Sequence, residues 1–327
     1  MRNKMTPAIS IAAGGLVALA LCASFASPLH AQTWPQRTVS FVVPLGAGSG
    51  ADIGARLLAD RLSKRWGQTV VVENRPGGDG MVAIGAVLNA RDDHMLMFGP
   101  SSAFVAHPYQ YDKLPYDQRD LQPVARFSTT LVGLAAPASL NVATLKDLMD
   151  LARAQPGKVN WATVTGVTDF IVAGYARKAG LDMQKVPYRD TVQAQNDLAE
   201  GRIQMYIAAL AIIRAQVQAG RIKLLAMTNR ERAPLFPNVP TVAEAGFPEL
   251  EFDGLAGFFA ARGIADQVRA RIAADVKAVS DQEIVTRLDA TGQLVRPGTA
   301  DEFAASIKEQ ADKVAAFAQV LDIKPKQ

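Results

Sequence analysis

Between residues 38 and 98 the chain alternates short apolar runs with glycine-bearing loops and amphipathic stretches, and this alternation restricts the fold more than any single residue does. Residues 38–44 (TVSFVVP) form the continuous apolar run that a strand covered on both faces requires. The run breaks at Leu45-Gly46-Ala47-Gly48-Ser49-Gly50-Ala51. From Asp52 onward, Ile53, Leu57, Leu58, Leu62 and Trp66 recur at helical spacing. A second strand is expected at 69–73, a turn at 74–80 (NRPGGDG), a helix through 83–90 and a third strand around 95–98. Strands separated by helices predict an α/β fold with mainly parallel sheets covered on both faces.

The pattern restarts after Leu121-Gln122-Pro123-Val124. Strands are expected near 131–135, 159–162, 185–188, 203–207 and 223–227, with a further β-rich piece at 258–261 before three C-terminal helices. One helix follows Thr144, with Asp147 in its first turn, and another follows Asp190. Ser280 with Glu283, and Thr299 with Glu302, read as capping boxes. So many elements exceed what one core needs, which points to two lobes.

Composition bears mainly on compartment and partners. Arg2 and Lys4 precede a charge-free apolar run from Ala8 to about Ala26, the layout of a secretory signal peptide, with cleavage expected after Ala31 and export to the periplasm. Cleavage removes the single cysteine, Cys22, which excludes both a disulfide and a catalytic thiol from the remainder. It also leaves bases and acids, 35 and 31 in the full chain, closer to balance, so nucleic acid is not an expected partner. No later apolar run reaches the roughly 18 residues of a membrane span.

The loop of Gly46, Ala47, Gly48, Ser49, Gly50, Ala51 and Asp52 is the most informative stretch. Its glycines let backbone N–H groups converge, and the following helix adds partial positive charge, so an anion is its natural occupant. A tight strand-to-helix turn without a ligand would use the same residues. Gly46, Gly48 and Ala51, with Glu73 ending the next strand, also imitate a dinucleotide-binding fingerprint; export argues against that reading. Thr163, Thr165, Gly166, Thr168 and Asp169 form a similar cluster between a strand and a helix near Phe170, where Thr168 or Asp169 would equally serve as a cap. The two loops facing one another would suit a ligand with a carboxylate at each end. Beyond the leader the histidines are His94 and His107. No HExxH, Gly-x-Ser-x-Gly or Cys/His set occurs, so no catalytic residue, metal site or cofactor is expected. His94 beside Asp92-Asp93 reads as a loop residue, and Phe41, Phe98, Phe258 and Phe259 as core.

A further set of ordered motifs spans almost the whole chain. These are Trp34-Pro35-x-Arg37, Val42-Val43-Pro44, the Ala47 to Asp52 loop with Ala55-Arg56, and Val70-Val71-Val72-Glu73-Asn74-Arg75-Pro76-Gly77. Leu114-Pro115-Tyr116-Asp117, Val186-Pro187-Tyr188, Ala226-Met227-Thr228 with Arg232, and Val239-Pro240-Thr241-x-x-Glu244-Ala245-Gly246 come after them. Through them the chain resembles the Bug family, the extracytoplasmic solute receptors of tripartite tricarboxylate transport. The resemblance implies a two-lobed periplasmic binding protein of the Venus-flytrap type. Lobe 1 would comprise 32–128 plus 252–327, and lobe 2 would comprise 129–251. It also implies a small carboxylate held by the two loops, with Ser101, Tyr188 and Arg189 nearby, release to a two-component membrane permease, a monomeric receptor, and no covalent chemistry. A sensor or scaffold relative without a transport role is the alternative.

The sequence departs from the family pattern at several points. Ala51 stands where threonine is usual, Asp169 where histidine is frequent, Arg189-Asp190 where Lys-Gly is usual, and Leu255 where tryptophan is customary; the second loop is about two residues short. Two added carboxylates would repel a dicarboxylate unless Arg189 or a ligand amine balanced them. The expected ligand is therefore a smaller or zwitterionic carboxylate, or an aromatic acid or amide, in preference to citrate.

Overall fold

The computed structural model describes residues 34–163, 166–188 and 190–325. The proposed signal peptide, Thr165 and Arg189 lie outside them. The chain divides into Met1–Gln36 and a compact unit Arg37–Gln327, and both of its sheets belong to the second.

The first sheet begins with β1 (Val39–Val43), whose Phe41, Val42 and Val43 are fully buried. β1 runs parallel to β2 (Val70–Asn74) and β3 (Met95–Pro100), pairing Phe41 with Val72 and with Leu96. Helix α1 (Gly50–Trp66) joins β1 to β2, and α2 (Met81–Ala90) joins β2 to β3. Two short helices, α3 (Ser102–Val105) and α4 (His107–Gln110), come after β3. β4 (Leu121–Thr130), β10 (Gly254–Ala261) and β11 (Gln293–Gly298) complete the order β11-β4-β10-β3-β1-β2. Phe258 packs between Phe41 and Phe98 with its ring tilted to both and centroids 4.7 Å from each, so these phenylalanines are core as expected.

The second sheet takes the order β7-β6-β8-β5-β9, from β5 (Val132–Pro137), β6 (Val159–Thr163), β7 (Met183–Lys185), β8 (Met205–Ala209) and β9 (Ile222–Met227). Its helices are α5 (Leu145–Ala154), α6 (Gly166–Lys178), α7 (Thr191–Ala199) and α8 (Leu210–Gln218). The C-terminal helices are α9 (Asp266–Val279), α10 (Gln282–Asp289) and α11 (Ala300–Val320). No helix of the described residues is long and apolar enough to cross a membrane.

Several expectations need correction. Both sheets are mixed and not mainly parallel, because β10 runs antiparallel to β3 and β4, and β5 antiparallel to β8 and β9. The physical reason is the passage between sheets: β4 leads into β5 through Leu131 alone, with no helix to carry a parallel crossover. β4 and β11 are strands that the apolar pattern does not predict. β7 ends at Lys185 instead of beginning there, since Pro187 has no N–H to offer a ladder. Ile53 and Leu57 are only partly buried on α1; its core face is Gly54, Ala55, Leu58, Ala59 and Leu62. Small residues are needed there because Gly54 lies against the rings of Phe98 and Phe127. Thr299 and Glu302 form the expected capping box on α11, whereas α10 is capped by Asp281, and Ser280 instead donates to the Val276 carbonyl at 2.7 Å.

Candidate functional site

The first glycine loop leaves the carboxyl end of β1 and enters α1. Gly46 to Gly48 are exposed, and Gly48 sits at φ +81°, a left-handed conformation that costs glycine nothing. Ser49 caps α1 by accepting from the Asp52 N–H at 3.2 Å. Asp52 folds back into the loop: its carboxylate accepts from the Gly48 N–H at 2.9 Å, from Asn74 Nδ2 at 2.9 Å and from Arg56 Nε at 3.1 Å, and it is 3% exposed. Burial alone would raise its pKa, but the hydrogen bonds from Arg56, Gly48 and Asn74 outweigh burial and hold it below the usual carboxylate range. Asn74 also donates to the Leu45 carbonyl at 3.0 Å, so the Glu-Asn-Arg motif and the glycine loop form one unit. The N–H groups of Ala47, Gly50 and Ala51 have no hydrogen bond among the described residues. Gly50 is pressed against Gln293, whose side chain accepts from Ser128 at 2.7 Å.

The second loop repeats this construction at the carboxyl end of β6. Asp169, in the first turn of α6, accepts a hydrogen bond from Thr163 Oγ1 and pairs with Lys185 Nζ at 2.6 Å. An acid in the first turn thus turns back onto its own loop in both places, balanced by Arg56 in one and Lys185 in the other. Lys185 thus supplies Asp169 with a counter-charge that the sequence pattern did not reveal. Asp190 is spent as well: its carboxylate caps α7 by accepting from the Val192 N–H at 2.8 Å. Thr168 is buried in α6. Tyr188 donates to Asp197 at 2.7 Å, and burial first, then this bond, pushes its phenol up to about 12.

The elements after β3 meet the second loop. Gln110, at the end of α4, lies so close to Gly166 that a Cβ there would collide with its amide, and Tyr109 packs edge-on to Phe170 with centroids 5.7 Å apart. A cavity of about 270 Å³ opens at the carboxyl ends of β1, β2 and β3, lined among others by Leu45, Gly46, Gly77, Asp79, Gly80 and Ser102. Ligands of open α/β sheets bind at such strand ends. Ser101 lies buried behind it, its N–H donating to the Leu255 carbonyl at 3.0 Å, so Ser102 faces the cavity. Sequence reasoning singled out neither Ser102 and Gln110 nor the group of Asp79, His107 and Tyr111. An acid among Gly77, Gly78 and Gly80 was the one visible signal. Asp92, Asp93 and His94 cluster at the opposite strand ends, with His94 Nδ1 2.6 Å from Asp93.

Two mixed sheets, two passages between them and a helix that opens at the carboxyl end of a strand in each sheet define a two-lobed periplasmic binding protein fold. Solved structures share it. A Rhodopseudomonas palustris protein with adipate is 28% identical with a TM-score of 0.75, covering 89% of this chain and 99% of that one. MatC from the same organism, with bound malate, is also 28% identical, with a TM-score of 0.68 and coverage of 86% and 100%. A UPF0065 protein of Bordetella bronchiseptica is 32% identical over 315 residues, 95% of this chain and 93% of its relative. The profile of the tripartite tricarboxylate transporter family receptor matches residues 54–323, and the chain belongs to that family. The Bug resemblance read from the motifs is therefore correct, and the family is one of solute-binding receptors.

Proposed function

We propose that this chain is a periplasmic receptor that captures a small carboxylate-bearing solute between two lobes, 32–128 plus 252–327 and 129–251, and delivers it to a two-component membrane permease. The observation that carries this reading is the duplicated loop. In each lobe an acidic residue of the first helical turn is neutralised from within, and in the first loop backbone N–H groups stay free for a ligand anion. Adipate and malate in the related structures fit this chemistry. Gly46, Ala47, Gly48, Ser49, Gly50 and Ala51 would hold one end of the solute, and Thr163, Thr165, Gly166 and Thr168 the other. Capture and release need neither a cofactor nor a bond-breaking step, and a monomer suffices. Export would follow cleavage after Ala31, which N-terminal sequencing of periplasmic protein tests.

The binding test is a thermal-shift screen of the purified chain from Gln32 onward against carboxylates, amino acids, aromatic acids and nicotinamides. A ligand at a hundred times its Kd contributes about 2.7 kcal/mol, which for a protein of this size raises the midpoint by roughly 4 °C. A carboxylate that shifts the wild type and not a Gly48→Val variant supports capture. A shift with a nicotinamide dinucleotide alone overturns it.

A further inference from the structure

One carboxylate in the first-lobe cavity has no role in the loop construction described above. Asp79 lies in a run of four residues with positive φ: Gly77 at 122°, Gly78 at 55°, Asp79 at 54° and Gly80 at 94°. Glycine meets this geometry freely at the other three positions, whereas Asp79 adopts it at a steric cost. Among the described residues, Asp79 is the one ionisable side chain lining the 270 Å³ cavity, and it shares that cavity with Gly46 of the anion-binding loop. Beneath it lies His107, fully buried, with Nδ1 2.7 Å from the Tyr116 hydroxyl. Its Nε2 makes no hydrogen bond among the described residues and stands 3.5 Å from Asp79 Oδ2. Tyr111 approaches the same oxygen at 3.4 Å.

This arrangement fits poorly with a purely structural ion pair. The Asp79 side chain remains 52% exposed, the imidazole contact is long, and no lysine or arginine pairs with it among the described residues. The His107 imidazole, chiefly, holds the Asp79 carboxyl below the usual carboxylate range, so it is anionic at neutral pH. A single carboxylate is too sparse a donor set for a metal ion, which takes several. It matches one ammonium group, for which it offers a charge-assisted hydrogen bond.

Resting on the capture reading, we propose that Asp79 selects the ligand: the cavity receives the amine-bearing end of a zwitterionic amino acid whose carboxylate sits on the Gly46–Gly50 loop. His107 and Tyr111 hold the Asp79 carboxylate in place from behind. A second ligand carboxylate at this end would meet a fixed like charge at close range, so Asp79 acts against dicarboxylates as well as for amines.

Calorimetric titration of the wild type with succinate, glutarate and adipate, each against the amino acids of equal chain length, reads the preference directly. At least tenfold tighter binding of an amino acid than of its matched dicarboxylate is expected. Asp79→Asn and Asp79→Gly, which both tolerate the left-handed backbone, should each cost the amino acid about tenfold and improve the dicarboxylate. A structural role alone would lower the melting midpoint without moving this ratio. A wild type that prefers dicarboxylates, or a ratio unchanged in both variants, overturns the assignment of Asp79 while capture stands. Absence of binding by every carboxylate overturns capture, and the assignment with it.

Discussion

Asp52 shows how one residue serves fold and site together. Its oxygens receive the loop N–H of Gly48, the amide of Asn74 and the guanidinium of Arg56, so the glycine loop is fixed in shape before any ligand arrives. Removing the charge while keeping the shape, Asp52→Asn, leaves Arg56 and Gly48 poorly matched and should destabilise the protein by about 1–3 kcal/mol at neutral pH. The folded pKa of Asp52 is depressed, so its contribution is fully present above the unfolded value near 4 and is lost as pH falls through the lower folded value. Thermal melts between pH 6 and pH 3 should therefore show a steeper loss in the wild type than in Asp52→Asn. Equal slopes would mean that Asp52 carries no such linkage.

At the scale of elements, close approach explains what hydrophobic periodicity missed. On α1 the buried face mixes Leu58 and Leu62 with the small residues Gly54, Ala55 and Ala59, and Gly54 is where the helix lies directly over Phe98 and Phe127. The same device joins α6 to α11: a Cβ at Gly174 would stand 2.6 Å from the Cβ of Phe317, so the two helices touch through a glycine. α11 thereby ties a helix of the second sheet to β4 of the first. Gly174→Ala would gain helix propensity but force the helices apart, and a net loss of about 1–3 kcal/mol in chemical denaturation is expected. A more stable variant would show that α11 can yield without cost.

At the scale of the molecule, two segments pass between the sheets, and Asn229 stitches them together. Fully buried, it accepts from the Val132 N–H at 2.8 Å and donates to the Thr130 carbonyl at 3.0 Å and to Asp253 at 2.9 Å. Thr228 adds a bond to the Phe252 carbonyl at 3.1 Å. A cavity of about 160 Å³ beside this junction is lined by charges that are paired, Arg230 with Glu251 at 3.1 Å and Arg296 with Glu231 at 2.5 Å. Asn229→Ala would take a partner from the Val132 N–H and the Thr130 carbonyl on one segment and from the Asp253 carboxylate on the other. A loss of about 2–4 kcal/mol is expected, measured by urea unfolding, whereas Arg296→Ala at the exposed pair should cost less than about 1 kcal/mol. Comparable losses would shift the weight of the junction from the buried amide to the ion pairs.

Local signals were enough for much of this protein. The apolar run 38–44, the glycine loop ahead of α1 and the Thr299/Glu302 capping box were readable locally, because each depends on residues a few positions apart. The ordered motifs carried the family. What depends on residues distant in the chain was not legible. Neither the antiparallel return of β10 nor the strand character of β4 and β11 has a local signature, since both follow from how the chain passes between sheets. Lys185 reaching Asp169, Gln110 against Gly166, and Asp79 above a buried His107 are meetings of separate elements. Sequence by itself determined most of the elements and the glycine loop that opens α1. The tertiary structure decided which charges are already neutralised within the protein and which one, Asp79, still faces the cavity, because charge balance is a property of neighbours in space.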